Sequence, residues 1–153
     1  MTDRPARASL TSAVTYQDPG AAFLWLETAF GFEPLMVLVD QAGNLAHSEM
    51  GFGDSTITIG GEWSDQHRSA KSMGGVNTQS VHVQLLADLD AHCERARQAG
   101  ATILQEPETQ FYGDRTYRAI DLEGHIWTFG MTVETLTPAE WDKASGFTTR
   151  TRL

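Results

Sequence analysis

The sequence holds one cysteine in 153 residues, Cys93. A lone thiol cannot close an internal disulfide, and no second cysteine is present to share a metal with it. Disulfide scaffolds and cysteine-rich zinc modules are therefore excluded. Cations are also scarce, with 11 Lys and Arg against 20 Asp and Glu and a formal net charge of -9. Such a surface repels phosphate backbones and anionic lipid, so neither nucleic acid nor a membrane is an expected partner. No apolar run approaches the ~20 residues of a spanning helix. The first seven residues, Met1 to Arg7, are polar and hold no apolar signal-peptide core. The expectation is a reduced, cytoplasmic protein. With 41% apolar and 20% charged residues the chain is not a disordered one. Its length suits one domain, or two small modules sharing a core.

The chain repeats itself. Asp18 opens a helical stretch that runs through Phe23, Trp25 and Leu26 to Gly31, and Asp88 opens a second that ends at Gly100. Both aspartates suit a helix N-cap, Pro19 suits the first helical turn, and both glycines suit a left-handed C-cap. The strand Ser55-Thr56-Ile57-Thr58-Ile59-Gly60 reappears as His125-Ile126-Trp127-Thr128-Phe129-Gly130, so that Thr58 and Thr128 stand 70 residues apart. Each half reads strand, helix, then three strands. The first half has strands near 11–17, 34–40, 44–52 and 54–60; the second near 79–86, 102–105, 115–121 and 125–131. The fold class is α+β: two tandem βαβββ modules form a curved mixed sheet around a cleft, with helices outside. The 1–153 chain is read as a single domain. Module one covers about 8–60, a Gly- and Ser-rich linker 61–78, and module two about 79–131. A C-terminal helix and tail cover 132–153. Thr137-Pro138-Ala139-Glu140 has the form of a capping box and starts the short helix that carries Trp141. The tail from Ser145 onward is expected to be loose.

This arrangement resembles the glyoxalase/bleomycin-resistance/dioxygenase superfamily, also called vicinal oxygen chelate proteins. The resemblance rests on Ala29-Phe30-Gly31-Phe32-Glu33, Asp88-Leu89-Asp90-Ala91-His92, Ala99-Gly100-Ala101, Phe111-Tyr112-Gly113-Asp114-Arg115 and Asp121-Leu122-Glu123-Gly124-His125 through Phe129. It spans roughly residues 8–131 and implies a homodimer. Metal-using members place His or Glu on four cleft strands. Counting back from the capping aspartates and on from the Asp-x-x-Gly turn gives Thr11, Val81, Thr58 and Thr128 here. Hydroxyls and a valine cannot replace imidazole and carboxylate, so neither a metal nor another cofactor is expected. The alternation of Ser80, His82 and Gln84 with Val81, Val83 and Leu85 puts the polar set toward the cleft. Simple counting differs from this by one residue, and a bulge near Leu85-Leu86 would reconcile the two.

The candidate ligand-binding residues are His47, Glu49, Thr58, Trp63, His82, Gln84, Tyr112, Arg115 and Thr128. His47 and Glu49 are two apart in a strand and project to one side, either as a ligand-contacting pair or as a pair that steadies the sheet. A substitute metal site from His47, Glu49 and His82 has no support from spacing. His82 is either structural or a proton carrier beside a substrate. Trp63 either lids the cleft or packs on the other module. Tyr112, Asp114 and Arg115 belong to the cleft rim or to a turn built around Gly113. Trp127 and Phe129 read as helix-side core, His92 as exposed, and His125 as a turn residue by the resemblance. The favoured reading is a metal-free binder of a drug-like or metabolite ligand, of the kind that confers antibiotic resistance. The alternatives are a lyase, isomerase or dioxygenase of the same superfamily working by Glu/His acid–base chemistry or a non-standard metal, and an inert partner module.

Overall fold

The computed structural model describes residues 8–153. The polar stretch Met1 to Arg7 lies outside the described residues. The first module is β1 (Ser12–Tyr16), α1 (Pro19–Phe30), β2 (Glu33–Val39), β3 (Leu45–Phe52) and β4 (Ser55–Gly61). The second is β5 (Val81–Gln84), α2 (Leu89–Gln98), β6 (Thr102–Thr109), β7 (Asp114–Ile120) and β8 (Ile126–Thr132), followed by α3 (Pro138–Ser145). Each module forms a four-stranded mixed sheet, ordered β1-β4-β3-β2 and β5-β8-β7-β6. In each, the first strand runs parallel to the last and the remaining pairs are antiparallel. The α+β tandem arrangement is thus present, and the repeat is structural: Ala13 pairs with Thr58, and their counterparts 69 and 70 residues on, His82 and Thr128, pair in the same way.

The helix ends show where the two halves part. Asp18 caps α1, its Oδ1 accepting from the Ala21 amide at 3.0 Å, and Gly31 closes the helix at φ 76°. Asp88 does not cap α2. It sits in the left-handed region at φ 59° and its side chain makes no capping hydrogen bond. The cause is one extra residue between β5 and α2, for which the chain must turn back; aspartate tolerates that conformation better than most residues. The insertion falls at 85–87, where the polarity pattern required it, and leaves Leu86 fully exposed.

Both helices lie on one side of the sheets and against each other, and they share a single core. Trp127, Tyr16, Tyr117, Phe30 and Phe129 are all completely buried in it. Polar bonds stitch the seam between modules. The Tyr16 hydroxyl donates to Asp121 Oδ2 at 2.7 Å, and Trp127 Nε1 donates to the same oxygen at 3.0 Å. The two carboxylate oxygens of buried Glu123 accept from the backbone amides of Gln17 (2.7 Å) and Asp18 (2.9 Å), at the positive end of α1. Trp25 Nε1 donates to the Ala99 carbonyl at 2.8 Å.

His92 is a correction to the expected exposure. It is half-buried at the seam, with Nε2 2.8 Å from the Phe30 carbonyl and Nδ1 2.6 Å from the Tyr117 hydroxyl. A carbonyl can only accept, so Nε2 carries the proton and Nδ1 accepts from Tyr117. Burial holds its pKa below the usual imidazole value. Its spacing on an amphipathic helix gave no hint that the neighbouring module would cover it. His125 is likewise a seam residue, with Nε2 at 2.7 Å from the Thr15 carbonyl and its ring edge-on to Tyr16.

Two segments are more ordered than expected. β6 runs to Thr109 rather than stopping at 105, because it is a sheet edge where Pro107 costs no ladder bond and the register slips twice. The tail folds back: the Thr149 amide and hydroxyl both donate to Asp142 on α3. The capping box at Thr137 and Glu140 is present as read.

Candidate functional site

Each sheet buries one face under its helix and leaves the other open. In the first module Val14, Ile57, Ile59 and Met50 take the buried side. Pleating then puts Ala13, Thr58, Glu49 and Met36 in one cross-strand row on the open face, with His47 and Leu38 in the next. His47 Nε2 is 3.5 Å from Glu49 Oε1; the imidazole is 42% exposed and the carboxylate 11%. Trp63 is exposed and stacks on His67 with centroids 3.8 Å apart, rather than packing on the second module. His47, Thr58 and Trp63 line one open cavity of about 380 Å³.

The second module repeats the geometry with different chemistry. Val83, Trp127, Phe129, Tyr117 and Ala119 face the core. His82, Thr128 and Arg118 form a row on the open face, and Gln84, Gly130 and Thr116 form the next. His82 Nε2 lies 3.1 Å from Gln84 Oε1. Gln84 Nε2 donates onward to Asp114 Oδ2 (3.3 Å) and Thr132 Oγ1 (3.2 Å). Both His82 and Gln84 lean over Gly130, where a Cβ would come within 3.0 Å of each. Thr128, Arg118, Ser80 and Leu104 line an open cavity of about 440 Å³.

The nine candidate residues therefore divide. His47, Glu49, Thr58 and Trp63 share the first open face; His82, Gln84 and Thr128 share the second. Tyr112 belongs to neither and lies in a separate groove beside α3. Arg115 is a correction: it has the parity of Tyr117, so it points to the helix side, where its Nε and Nη2 fork onto Asp90 Oδ1 (2.8 Å) and Oδ2 (3.2 Å) of α2. The cation that does reach the open face is Arg118, which sequence reasoning missed. Among the described residues its side chain has no hydrogen bond or ion pair. The signal was available in the alternation of Arg118 with buried Tyr117 and Ala119.

The register also revises the positions at which metal-using proteins of this architecture hold an ion. The residue beside Thr58 is Ala13, not Thr11, and the one beside Thr128 is His82, not Val81. A methyl group, two hydroxyls and one imidazole do not fit a divalent cation. Among the described residues no group of three His, Cys, Asp or Glu could hold one elsewhere.

Two four-stranded mixed sheets with duplicated register, each with a parallel first strand, define a tandem βαβββ protein. The chain belongs to the Glyoxalase/Bleomycin resistance protein/Dioxygenase superfamily, whose profile matches residues 9–129. It is 26% identical over 129 residues to an uncharacterized protein of Mycobacterium tuberculosis strain H37Rv, covering 82% of this chain and 75% of that one. Among solved structures it resembles TioX from Micromonospora sp. ML1 at 27% identity and a TM-score of 0.64, covering 82% of this chain and 98% of that one. It shares its fold with the fosfomycin resistance protein FosX from Listeria monocytogenes, at 15% identity and a TM-score of 0.59, covering 89% and 98% of the two chains. None of the described helices is long and apolar enough to cross a membrane.

Proposed function

We propose that the two open faces are halves of a cleft for a small, partly aromatic organic molecule bearing an anionic group. The reading is of a binder without a resident metal, in which a second copy of the chain brings the complementary half. The observation that carries it is the row His82–Thr128–Arg118. A guanidinium with no hydrogen-bond or ion-pair partner among the described residues stands beside an imidazole and a hydroxyl, with Leu104 as the apolar wall. A planar fork of donors suits a carboxylate or phosphonate. On the first face Met36, Leu38 and Trp63 offer apolar contact around Glu49 and His47.

Association of two copies draws support from β2. This edge strand carries Leu35, Val37, Leu38 and Val39, each between 44% and 61% exposed. An uncovered hydrophobic edge of that length invites pairing with another chain. The family includes bleomycin resistance proteins, and one similar structure is a fosfomycin resistance protein; drug sequestration is therefore within the reading. The pair at 3.5 Å formed by His47 and Glu49 favours a second reading, acid–base catalysis on a bound substrate.

The test is calorimetric titration with 2-naphthoate as a probe, against its neutral alcohol analogue. The binder reading expects the acid to bind more tightly. It also expects Arg118→Ala to weaken binding roughly tenfold or more, the loss of one charge-assisted contact, with unchanged thermal stability. Light scattering should show a dimer, and Leu38→Lys should give a monomer that no longer binds. Equal binding of acid and alcohol would refute the anionic ligand.

A further inference from the structure

The groove beside α3 is separate from both open faces; Phe111 and Tyr112 come from within the family's matched segment, which ends at residue 129, and the rest of its lining comes from beyond it. It is a cavity of about 400 Å³ lined by Phe111, Tyr112, Trp141, Asp142, Phe147 and Thr149, together with Ser145. Its rings come from three places in the chain: the turn between β6 and β7, the helix, and the folded-back tail. Phe111 and Tyr112 stand at 89° to each other with centroids 5.2 Å apart, and Phe147 faces Phe111 at 6.4 Å and 57°. The rings meet edge to face and tilted rather than stacked. They also stay open to solvent, Phe111 at 44%, Tyr112 at 38% and Phe147 at 72%.

Asp142 of α3 also lines the groove. Asp142 accepts from the Thr149 amide through both oxygens, at 2.9 Å and 3.0 Å, and from the Thr149 hydroxyl at 2.6 Å. These donors favour the ionised carboxylate and so hold its pKa below the usual range. Geometry also anchors the floor. Gly113, at φ 97°, lets the turn lie against the Glu134 backbone with no room for a side chain, and its carbonyl accepts from both Val133 and Glu134 at 3.0 Å.

We propose that this groove is a second binding site, for an organic ammonium cation of the trimethylammonium type. The faces of aromatic rings are negative, and several of them around a bulky, weakly hydrated cation provide both its apolar contact and its electrostatic partner. The carboxylate of Asp142 completes the charge balance, and the overall charge of -9 draws cations to the molecule. An anion or a neutral hydrocarbon would use the rings but not the carboxylate.

The experiment is a titration of the full chain with choline and with 3,3-dimethylbutan-1-ol, which has the same shape without the charge, followed by backbone amide NMR. The site expects choline to shift resonances around 111–112 and 141–149, and to bind roughly tenfold more tightly than the neutral analogue. Phe147→Ala, at a largely exposed position, should abolish the shifts while leaving the fold intact. Asp142→Asn, which keeps an acceptor for Thr149, should weaken choline and leave the alcohol unchanged. Phosphatidylcholine vesicles separate a free cation from a lipid headgroup: the site expects choline binding without co-sedimentation. Equal affinity for the two probes, shifts confined to the open sheet faces, or no choline binding at tens of millimolar would each overturn the proposal. Loss of choline binding at the groove leaves the sheet-face reading untouched, because Arg118 and His82 lie outside the groove.

Discussion

Removing the Glu123 carboxylate should loosen the seam between the two modules. Glu123 is only 5% exposed and reaches across the molecule to the Gln17 and Asp18 amides, which precede the first turn of α1. Glu123→Ala leaves both donors without their acceptor. Bonds to a charged group contribute about 1.5–3 kcal/mol each, so the pair amounts to about 3 kcal/mol or more. For a chain of this length that corresponds to a fall in Tm of roughly 6–12 °C. The helix itself keeps its cap, because the bond from Ala21 to Asp18 is independent of Glu123. Far-ultraviolet circular dichroism should therefore show an unchanged folded baseline and an earlier transition. Leu122→Ala, at the exposed neighbouring position, serves as the control. A Glu123→Ala protein within about 0.5 kcal/mol of the parent would refute the seam as described, since that is the range of an ordinary surface change.

Other perturbations have equally definite signs. His92 is held neutral by burial, with its pKa below the unfolded value near 6.5. The unfolded state then binds more protons as pH falls from that value toward the folded pKa, so stability is lost across that window. Urea midpoints measured from pH 7.5 downward should show this decline, and His92→Gln should flatten it. Cys93 is buried and its pKa is pushed up to about 11, chiefly by desolvation. Ellman's reagent at pH 8 should react with it only as the chain unfolds. Gly113→Ala places a methyl group against the Glu134 carbonyl at a positive φ, and should cost about 2 kcal/mol or more in chemical denaturation.

The duplication was legible because the repeat is written in residues that fold locally: Asp18 with Pro19, Gly31 and the Thr58/Thr128 pair. The open faces were legible for the same reason, since period-two alternation around Val81–Val83 and Ile57–Ile59 decides which side is buried. What failed were inferences that depend on partners distant in sequence. His92 looked like a surface histidine until the Phe30 carbonyl covered it. Arg115 looked like a rim cation, yet its parity with Tyr117 directs it to Asp90. Counting seven residues back from the aspartates missed the cleft register because both connections are shorter than that count: Ala13 stands five before Asp18 and His82 six before Asp88. The groove beside α3 could not be read at all, because its rings meet only when the tail folds onto Asp142.

The account turns on Ala13, Thr58, His82 and Thr128 standing where an ion would otherwise be gripped. Elemental analysis of the protein, purified without chelator or added metal, tests this most directly. The expected result is far less than one equivalent of any transition metal per chain, with the same value for His82→Ala. One full equivalent of a divalent metal, lost in His82→Ala, would contradict it.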